Sequence, residues 1–339
     1  MSAREHLGTG AILAPPPPEG LRPLQAPPSF SIVIPAYQAA ATIAGAVRSA
    51  LDQSLPAHEV IVVDDGSTDD LAGALRPFGD RIEVVRKENG GAASARNVGA
   101  KEASGEFMAV LDADDGFDPR RIEALSRLAT ERPDLDLVTT DSRFVVGGRS
   151  VGSYLGENPF AIADQRQAIL VSCFVGGWPA ARISRLRELG GFDESLRVGH
   201  DWDCWLRMIL AGSSAGLVDL PYYDYVLAPG GLTSGRVESL WDRVRMLEKA
   251  AANPDLRVEE RPLLERESRR RRSDAVREET REQLDSSLSR GRLLRLAATS
   301  GAEPRARAGA ALAFALPPLA RRLVESRRPP EERLAEEGG

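Results

Sequence analysis

The chain has 339 residues, of which 42% are hydrophobic and 28% are charged, so its length allows one sizeable globular α/β domain with further material. A formal net charge of −6 speaks against nucleic-acid binding, because no excess of Lys and Arg is present to neutralise phosphates. The two cysteines, Cys173 and Cys204, exclude a disulfide framework and favour a reducing compartment. With no signal-peptide pattern and no apolar run of ~18 residues, we expect a cytoplasmic protein, with peripheral attachment at the inner face of the membrane left open.

The chain opens with a proline-rich stretch at residues 1–29, which has little to bury and is predicted to be a disordered or extended leader. From residue 30 to residue 140, short apolar runs alternate with apolar residues at helical spacing. The predicted strands are Ser31–Pro35, Val60–Val63, Ile82–Val85, Phe107–Leu111 and Leu135–Thr139. This alternation predicts an α/β fold with a mostly parallel central sheet flanked by helices.

The second part of the sequence is less regular. The predicted elements there are a hairpin at residues 145–151, a short helix at Ser184–Leu189 closed by Gly190, an amphipathic helix from about Asp201, and a strand or edge segment at Leu217–Val226. From Ser239 onward the pattern is helical and strongly charged. Residues 231–339 are therefore predicted to form a charged helical C-terminal extension.

Acidic residues follow two of the predicted parallel strands. Asp64 and Asp65 end the second strand, and the segment Asp-Ala-Asp-Asp at residues 112–115 ends the fourth. Ligands of open parallel sheets bind outside the carboxyl ends of the strands, so we expect both clusters to face one crevice. An Asp-x-Asp pair there suits Mg²⁺ or Mn²⁺, hard cations that keep positions open for phosphate oxygens. The alternative is that these residues form solvated turns or helix caps.

Two more segments carry polar groups that suit a ligand. Asp65, with Asp64, could accept hydrogen bonds from a nucleobase edge or a ribose, whereas the alternative is a turn followed by a helix N-cap. Residues 89–97 combine small residues, where the backbone approaches a ligand or a strand closely, with Arg96 and Asn97. The alternative for this segment is a tightly packed helix start.

A third acidic group lies in His200-Asp201-Trp202-Asp203, at the start of the predicted amphipathic helix. Asp201 or Asp203 could act as a general base that takes a proton from a sugar hydroxyl. The alternative makes Asp201 an N-cap and Asp203 a first-turn residue that is favourable to the helix dipole. The two readings are compatible.

Taken in order, five segments resemble the inverting family 2 glycosyltransferases with the GT-A fold. The segments are Ser31–Tyr37, Val62–Asp69, Asn89–Gly99, Leu111–Asp115, and the pair Gly190–Glu194 and His200–Arg207. They occur in the family's order and at its usual spacing, and they cover residues 30–230. The resemblance implies a nucleotide-sugar-binding half at residues 30–140 and an acceptor-binding half at residues 141–230.

The resemblance also implies roles for single residues. Asp201 matches the family's catalytic base, and Asp114 would hold a divalent metal, Mg²⁺ or Mn²⁺, together with Asp112. The residues expected to bind the nucleotide sugar are Pro35, Ala36, Tyr37, Asp64, Asp65, Arg96, Asp112 and Ala113. The residues expected to support the site or to hold the acceptor are Asp115, Trp178, His200, Trp202 and Asp203.

The implied function is transfer of a sugar, with inversion, from a nucleoside-diphosphate sugar to a hydroxyl of a glycan or lipid-linked acceptor, in the synthesis of cell-surface glycans. UDP-sugars are the favoured donors. Two positions depart from the family pattern: His200 stands where Glu is commoner, and Gln38 stands where Asn often follows the tyrosine. The first departure bears on how the acceptor is held, and the second on contacts near the base.

Two other functions stay open. A sugar-1-phosphate nucleotidyltransferase also uses an α/β sheet, a nucleotide and Mg²⁺, but it usually has a Gly-rich basic segment after its first strand, where this chain has Ala36-Tyr37-Gln38-Ala39. The other alternative is a non-catalytic nucleotide-sugar-binding module. Separately, the Ala/Leu-rich stretch at residues 308–323, with Arg321-Arg322, suits attachment to anionic lipid, unless it is a packed helix or a solvated tail.

Overall fold

A computed structural model describes residues 10–227, 236–285 and 289–325 of the chain. The fold divides into two compact units. Unit 1 comprises residues 1–231 and 252–257, and unit 2 comprises residues 232–251 and 258–339. Among the described residues, all the strands belong to unit 1, whereas unit 2 is helical.

Unit 1 is built on one sheet. Its strands are β1 (Ile12–Leu13), β2 (Phe30–Ala36), β3 (Glu59–Asp64), β4 (Glu83–Arg86), β5 (Phe107–Val110), β6 (Gly116–Phe117), β7 (Leu137–Val146), β8 (Arg149–Ser153), β9 (Ala180–Arg182) and β10 (Ala215–Val226). The order across the sheet is β1-β10-β7-β9-β5-β2-β3-β4, with β6 paired to β10 and β8 paired to β7. The helices are α1 (Ile43–Leu51), α2 (Leu71–Leu75), α3 (Ala92–Glu102), α4 (Arg121–Glu131), α5 (Tyr154–Glu157), α6 (Gln165–Val171), α7 (Ile183–Glu188) and α8 (His200–Leu210).

The predicted α/β class is confirmed, and all five predicted strands form; four of them shift by one residue at their ends, whereas β7 continues seven residues beyond its predicted end at Thr139. Strands β5, β2, β3 and β4 run parallel, as do β7 and β10. The antiparallel strand β9 lies between β5 and β7 and makes the sheet mixed. Its three residues, Ala-Ala-Arg, are too short to show the alternation by which a strand is recognised in sequence, so the prediction missed it.

The parallel strands are apolar because both of their faces are covered. Ile32 and Ile34 of β2 and Val60 and Val62 of β3 belong to the main hydrophobic core. On the other face of β2, helix α3 approaches closely: a Cβ at Gly99 would lie 2.2 Å from Val33 Cγ1. The small residues of this segment therefore serve helix–strand packing at Gly99.

Where it is described, the leader follows the extended course that the sequence offered as one of two possibilities. Ile12–Leu13 pairs with Leu217 and Val218 of β10 as an antiparallel edge strand. Arg132 Nη1 donates a hydrogen bond to Pro15 O at 2.8 Å. Backbone pairing and the side chain of Arg132, which directly follows α4, hold this part of the leader in place. Residues 1–9 lie outside the described part of the chain.

Unit 2 contains α9 (Arg236–Ala251), α10 (Arg261–Asp285), α11 (Arg290–Ala297), α12 (Pro304–Ala315) and α13 (Pro317–Glu325). A separate apolar cluster, which includes Val276, Leu293 and Ala310, forms its core. The predicted C-terminal helices are therefore present. None of the helices in the described ranges is both long and apolar enough to cross a membrane.

Candidate active site

Asp65, at the end of β3, is 2% exposed and is held by the start of α3. Its carboxylate accepts hydrogen bonds from Gly90 N at 2.9 Å and Gly91 N at 2.7 Å. Lys87 Nζ lies 2.6 Å from Oδ1, and Asn89 Nδ2 lies 3.2 Å from Oδ2. Both oxygens are thus hydrogen-bonded within the protein. A direct contact between Asp65 and a nucleobase stays a prediction, and it requires one of these donors to leave.

Asp64 is also buried and closes the turn that follows β3. Its carboxylate accepts hydrogen bonds from Ser67 N at 2.8 Å and from Arg86 Nη1 at 2.9 Å. This geometry matches the turn that the sequence offered as the alternative to a ligand contact. Nucleotide binding by Asp64 therefore also stays a prediction.

The loop after β2 lies beside this turn. Gln38 has a φ of 52°, which is uncommon for a residue other than glycine. Its side-chain oxygen accepts hydrogen bonds from Thr68 N at 2.8 Å and Asp69 N at 3.1 Å, so Gln38 ties the two loops together. Tyr37, just before it, has a side chain that is 53% exposed and available to a ligand. Of the other two residues predicted to bind the nucleobase, Pro35 is partly buried and Ala36 is buried.

In the second acidic cluster, residues 112–115, the three carboxylates differ in their exposure and in their hydrogen bonds. Asp114 is exposed, and its carboxylate accepts no hydrogen bond from any other described residue. Asp112 is partly exposed and pairs with Arg96 at 2.7 Å. Ala113 faces the core, and Asp115 is buried. Partial desolvation, followed by the charge of Asp112, raises the pKa of Asp114.

Tyr223 on β10 holds this cluster from behind. Its hydroxyl donates to Asp115 Oδ2 at 2.7 Å and accepts a hydrogen bond from Asp112 N at 3.3 Å. Val226 N donates to the other oxygen of Asp115 at 2.7 Å. Burial, and then the charge of Asp112, raises the pKa of Asp115 to about 8. Asp115 therefore serves to fix the loop to β10.

Tyr223 is in turn enclosed by other rings and a cation. The guanidinium of Arg121, on α4, lies 5.0 Å from the centre of the Tyr223 ring. The Trp178 ring packs edge-on against Tyr223 at 5.0 Å. Arg121 Nη2 donates to Trp178 O at 2.7 Å, which joins these groups into one cluster. Sequence analysis did not single out Tyr223 or Arg121, although the three tyrosines of β10 were visible.

Arg96 links the acidic cluster to the start of α8. It is buried and lies on α3, with Nη2 on Asp112 and Nη1 2.9 Å from His200 Nε2. A guanidinium only donates hydrogen bonds, so His200 accepts through Nε2 and is neutral. Burial, and then the charge of Arg96, lowers the pKa of His200 to about 4. The positive charge of Arg96 therefore remains available to the carboxylates Asp112 and Asp201, both of which raise its pKa.

Asp201 lies in the first turn of α8 and is partly exposed. Trp202 N donates to Oδ1 at 2.8 Å, while Oδ2 accepts no hydrogen bond within the described residues. Oδ2 faces the backbone of Gly177, where an added Cβ would lie only 2.7 Å away. Gly177 precedes Trp178 in the chain, so Asp201 lies close to the aromatic cluster around Tyr223. One oxygen of Asp201 is thus open to a ligand.

The neighbours of Asp201 on α8 are engaged in structural contacts. Trp202 is buried and donates through Nε1 to Ile169 O at 2.7 Å. Asp203 is buried and pairs with Arg207 at 2.8 Å, and Arg207 also donates to Leu189 O. The alternative offered for Asp203, a first-turn structural residue, therefore describes its contacts.

The residues present fit a divalent cation that takes most of its coordinating oxygens from a bound diphosphate and from water. Asp112 and Asp114 supply hard carboxylate oxygens; desolvation, and then the charge of Asp112, raises the pKa of Asp114, and a cation would relieve the repulsion between the two carboxylates. No group of three or more His, Cys, Asp or Glu side chains able to hold a metal occurs in the described part of the chain. Such a cation would complete its coordination with diphosphate oxygens and water, as Mg²⁺ commonly does.

The contacts thus connect most of the predicted site. The Arg96 guanidinium reaches both Asp112 and His200, next to Asp201. The Asp65 carboxylate is joined instead to Gly90 and Gly91, six and five residues before Arg96 in the same segment. The loop after β5, Arg96 on α3 and the start of α8 therefore supply one connected set of polar groups, and Asp65 forms a second set with the residues that precede α3.

Comparison with known proteins agrees with this geometry. A family model described as glycosyl transferase family 2 matches residues 31–190. An uncharacterised glycosyltransferase of Rickettsia typhi is 32% identical over 196 residues, which cover 55% of this chain and 60% of that protein. The succinoglycan biosynthesis protein ExoU of Rhizobium meliloti is 33% identical over 228 residues, which cover 61% and 65% of the two chains. The chain therefore spans less than two thirds of these relatives.

Solved structures show the same architecture. TarS 1–349 of S. aureus, in complex with UDP-GlcNAc, matches with a TM-score of 0.60 and 19% identity, over 88% of this chain and 90% of that one. The mannosyltransferase PcManGT of Pyrobaculum calidifontis, in complex with GDP-Man and Mn²⁺, matches with a TM-score of 0.57 and 20% identity, over 90% and 86% of the two chains. At such identities the likeness establishes the fold alone. Residues 31–190 therefore match glycosyl transferase family 2, and the sheet with its flanking helices matches the GT-A fold.

Proposed function

We propose that this protein transfers a sugar from a nucleoside-diphosphate sugar to an acceptor hydroxyl, with inversion at the anomeric carbon. The observation that carries the proposal is that Arg96 contacts both Asp112 and His200, which stand two residues before Asp114 and one residue before Asp201, the two open carboxylates. One carboxylate suits the donor diphosphate through a cation, and the other suits the acceptor. The match to the family supports the same reaction.

In this reaction Asp201 is the general base. Its free Oδ2 accepts the proton of the acceptor hydroxyl, whose oxygen then forms a bond to the anomeric carbon of the donor. The bond from that carbon to the diphosphate oxygen breaks, and the electron pair leaves with the nucleoside diphosphate. Attack opposite the leaving group inverts the configuration. The nearby Arg96 guanidinium carries the charge opposite to that of Asp201.

The donor is held by the loops that follow the parallel strands. Tyr37 offers its ring to the nucleobase, while Asp65 shapes the backbone at Gly90 and Gly91 that faces the donor. Asp114 and Asp112 would hold Mg²⁺ or Mn²⁺, which supplies charge neutralisation to the departing diphosphate. Related structures carry UDP-GlcNAc in one case and GDP-Man with Mn²⁺ in another, which supports this class of donor. We favour UDP-sugars.

The acceptor is proposed to be a glycan or a lipid-linked saccharide. The similarity to a succinoglycan biosynthesis protein supports a role in making cell-surface polysaccharide. The acceptor would lie beside Trp178 and Asp201, where an aromatic surface adjoins the proposed base. Aromatic rings of this kind suit the apolar faces of sugar rings.

The proposal is tested in two steps with the full chain. Thermal shifts with UDP, GDP and dTDP, each with and without Mn²⁺, identify the nucleotide and show whether the metal strengthens its binding. Incubation of the matching nucleotide sugar with acceptor extracts should then release nucleoside diphosphate and give a labelled saccharide of inverted configuration. Pyrophosphate formation from a sugar 1-phosphate and a nucleoside triphosphate would instead identify a nucleotidyltransferase. Nucleotide binding without any turnover would identify a non-catalytic binding module.

A further inference from the structure

Helix α12 presents an apolar side to solvent. It buries Ala306, Ala310 and Ala313 in the core of unit 2. At about 100° per residue, the alanines at positions 308, 311 and 315 lie on the opposite side, and all three are exposed. Two exposed leucines follow: Leu316 is 52% exposed and Leu319, on α13, is 47% exposed. We call Ala308, Ala311, Ala315, Leu316 and Leu319 the α12–α13 strip.

Arginines flank this strip on both sides. Arg305 and Arg307 stand one residue before and one residue after the buried Ala306, so they project to opposite sides of the exposed face. Both are exposed, as is Arg321 near the other end of the strip. Arg307 Nε donates to Ala297 O at 3.0 Å and Arg321 Nε donates to Leu284 O at 2.7 Å, so both guanidinium groups keep their charge while they are bonded to neighbouring backbone.

The surrounding sequence is strongly basic although the whole chain is acidic. Residues 289–325 contain seven arginines, no lysine and two glutamates, against a net charge of −6 for the chain. One of those glutamates, Glu303, is paired with Arg277 at 2.6 Å, which places its charge against a cation of α10. The region around the strip is therefore suited to an anionic partner.

We propose that the α12–α13 strip binds the surface of a membrane that contains anionic lipid. Apolar side chains flanked by arginines fit the boundary between acyl chains and anionic headgroups. A second copy of the chain fits poorly, because a symmetric contact of the strip with itself would bring like-charged arginines together. A protein partner would be expected to dock on exposed aromatic anchors, and the one aromatic residue among residues 304–321, Phe314, packs against the core of unit 2. This proposal does not depend on sugar transfer.

The test is co-sedimentation of the full chain with vesicles of phosphatidylcholine, with and without phosphatidylglycerol. We expect binding to the anionic vesicles alone, and weaker binding as salt is raised. The double variant Arg305→Gln/Arg307→Gln should lower the partition coefficient about 30-fold, because each basic residue near an anionic surface contributes roughly fivefold. Leu316→Gln/Leu319→Gln should lower it at least about tenfold.

Matched controls change exposed residues elsewhere: Val151→Gln, at a site that is 61% exposed, and Arg266→Gln on α10. Both should bind like the unaltered chain, and circular dichroism should show that all variants are folded. The proposal is overturned by equal binding to neutral vesicles, by no binding to either kind, or by strip variants that bind normally. A dimer that is abolished by Leu316→Gln/Leu319→Gln, without vesicle binding, would assign the strip to a second copy instead.

Discussion

The two acidic clusters at the strand ends of unit 1 look alike in sequence and differ in structure. After β3, Asp64 and Asp65 are buried, and each accepts hydrogen bonds from backbone amides and a basic side chain. After β5, Asp114 is exposed and accepts no hydrogen bond from another described residue. A carboxylate that is satisfied within the protein stabilises a loop, whereas one left open can bind a ligand.

The same contrast holds within α8. Asp203 pairs with Arg207, while Asp201 keeps one oxygen free two residues earlier. The difference teaches that an acidic motif does not by itself assign chemistry. What decides is whether neighbouring donors already use the oxygen atoms.

The substitution Asp201→Asn is the strongest test of this difference between open and hydrogen-bonded carboxylates. If the open oxygen is the general base, kcat should fall by about 10²–10⁴, while nucleoside-diphosphate binding stays unchanged. Steady-state kinetics and thermal shifts measure the two quantities. Asp203→Asn is the matched control: it should lower the melting temperature but retain transfer per folded molecule. If Asp201→Asn transfers sugar at the unaltered rate, Asp201 is not the general base.

A second test compares Asp114→Asn with Asp118→Asn, a nearby carboxylate that accepts from Arg120 N at 3.0 Å. Asp114→Asn should lower turnover about 10²–10³, because one electrostatic contact to the leaving group is lost. It should also abolish the shift in nucleotide affinity on adding Mn²⁺, measured by calorimetry. Asp118→Asn should leave both quantities near their original values, and an equal loss in the two variants would contradict the assignment.

The buried carboxylates whose oxygens already accept hydrogen bonds within the protein should contribute to its stability. Asp65→Asn should reduce the free energy of unfolding by about 3 kcal/mol, because Lys87 loses its buried partner. Urea denaturation measures this change. If stability is unchanged while nucleotide binding disappears, Asp65 acts directly on the ligand and belongs with the open carboxylates.

Tyr223 holds in place the loop at residues 112–115, which carries the exposed Asp114. Tyr223→Phe removes a hydroxyl that bonds to Asp115 and to Asp112 N, so we expect a loss of about 1–2 kcal/mol in unfolding free energy. A loosened loop should also need more Mn²⁺ for half-maximal activity. The neighbouring Tyr222→Phe is the control, since the Tyr222 ring stacks on Arg120. An unchanged Mn²⁺ requirement would limit Tyr223 to a structural role.

The smallest expected effect concerns pH. The pKa of His200 is about 4 in the folded chain, against an ordinary value of 6.5, so the unfolded chain binds the extra proton between these values. Stability should therefore fall as pH falls through this window, by about 1 kcal/mol between pH ~6.5 and ~5.5. Urea denaturation of the unaltered chain and of His200→Gln isolates this contribution. Equal slopes in the two proteins would show that His200 is not neutral in the fold.

Several features could be predicted because they depend on local pattern. The buried strands β2, β3 and β5 consist of apolar runs, and the start of α8 follows from the spacing of its apolar residues. Antiparallel β9 and edge strand β1 could not be predicted, because each is two or three residues long and is defined by its partner strand. The left-handed conformation at Gln38 could not be predicted either, because it is stabilised by contacts with Thr68 and Asp69.

The sequence by itself determined the α/β class, the order of the apolar strands β2, β3 and β5 along the chain and the presence of carboxylates after β3 and β5, because periodicity and turn chemistry are local properties. Only the tertiary structure decided which carboxylates are open, that His200 is a neutral acceptor for Arg96, and that Tyr223 fixes the loop at residues 112–115. The physical reason is that hydrogen-bond donors come from residues about 25 to 110 positions away, so the state of each acidic group depends on which distant segments fold against it.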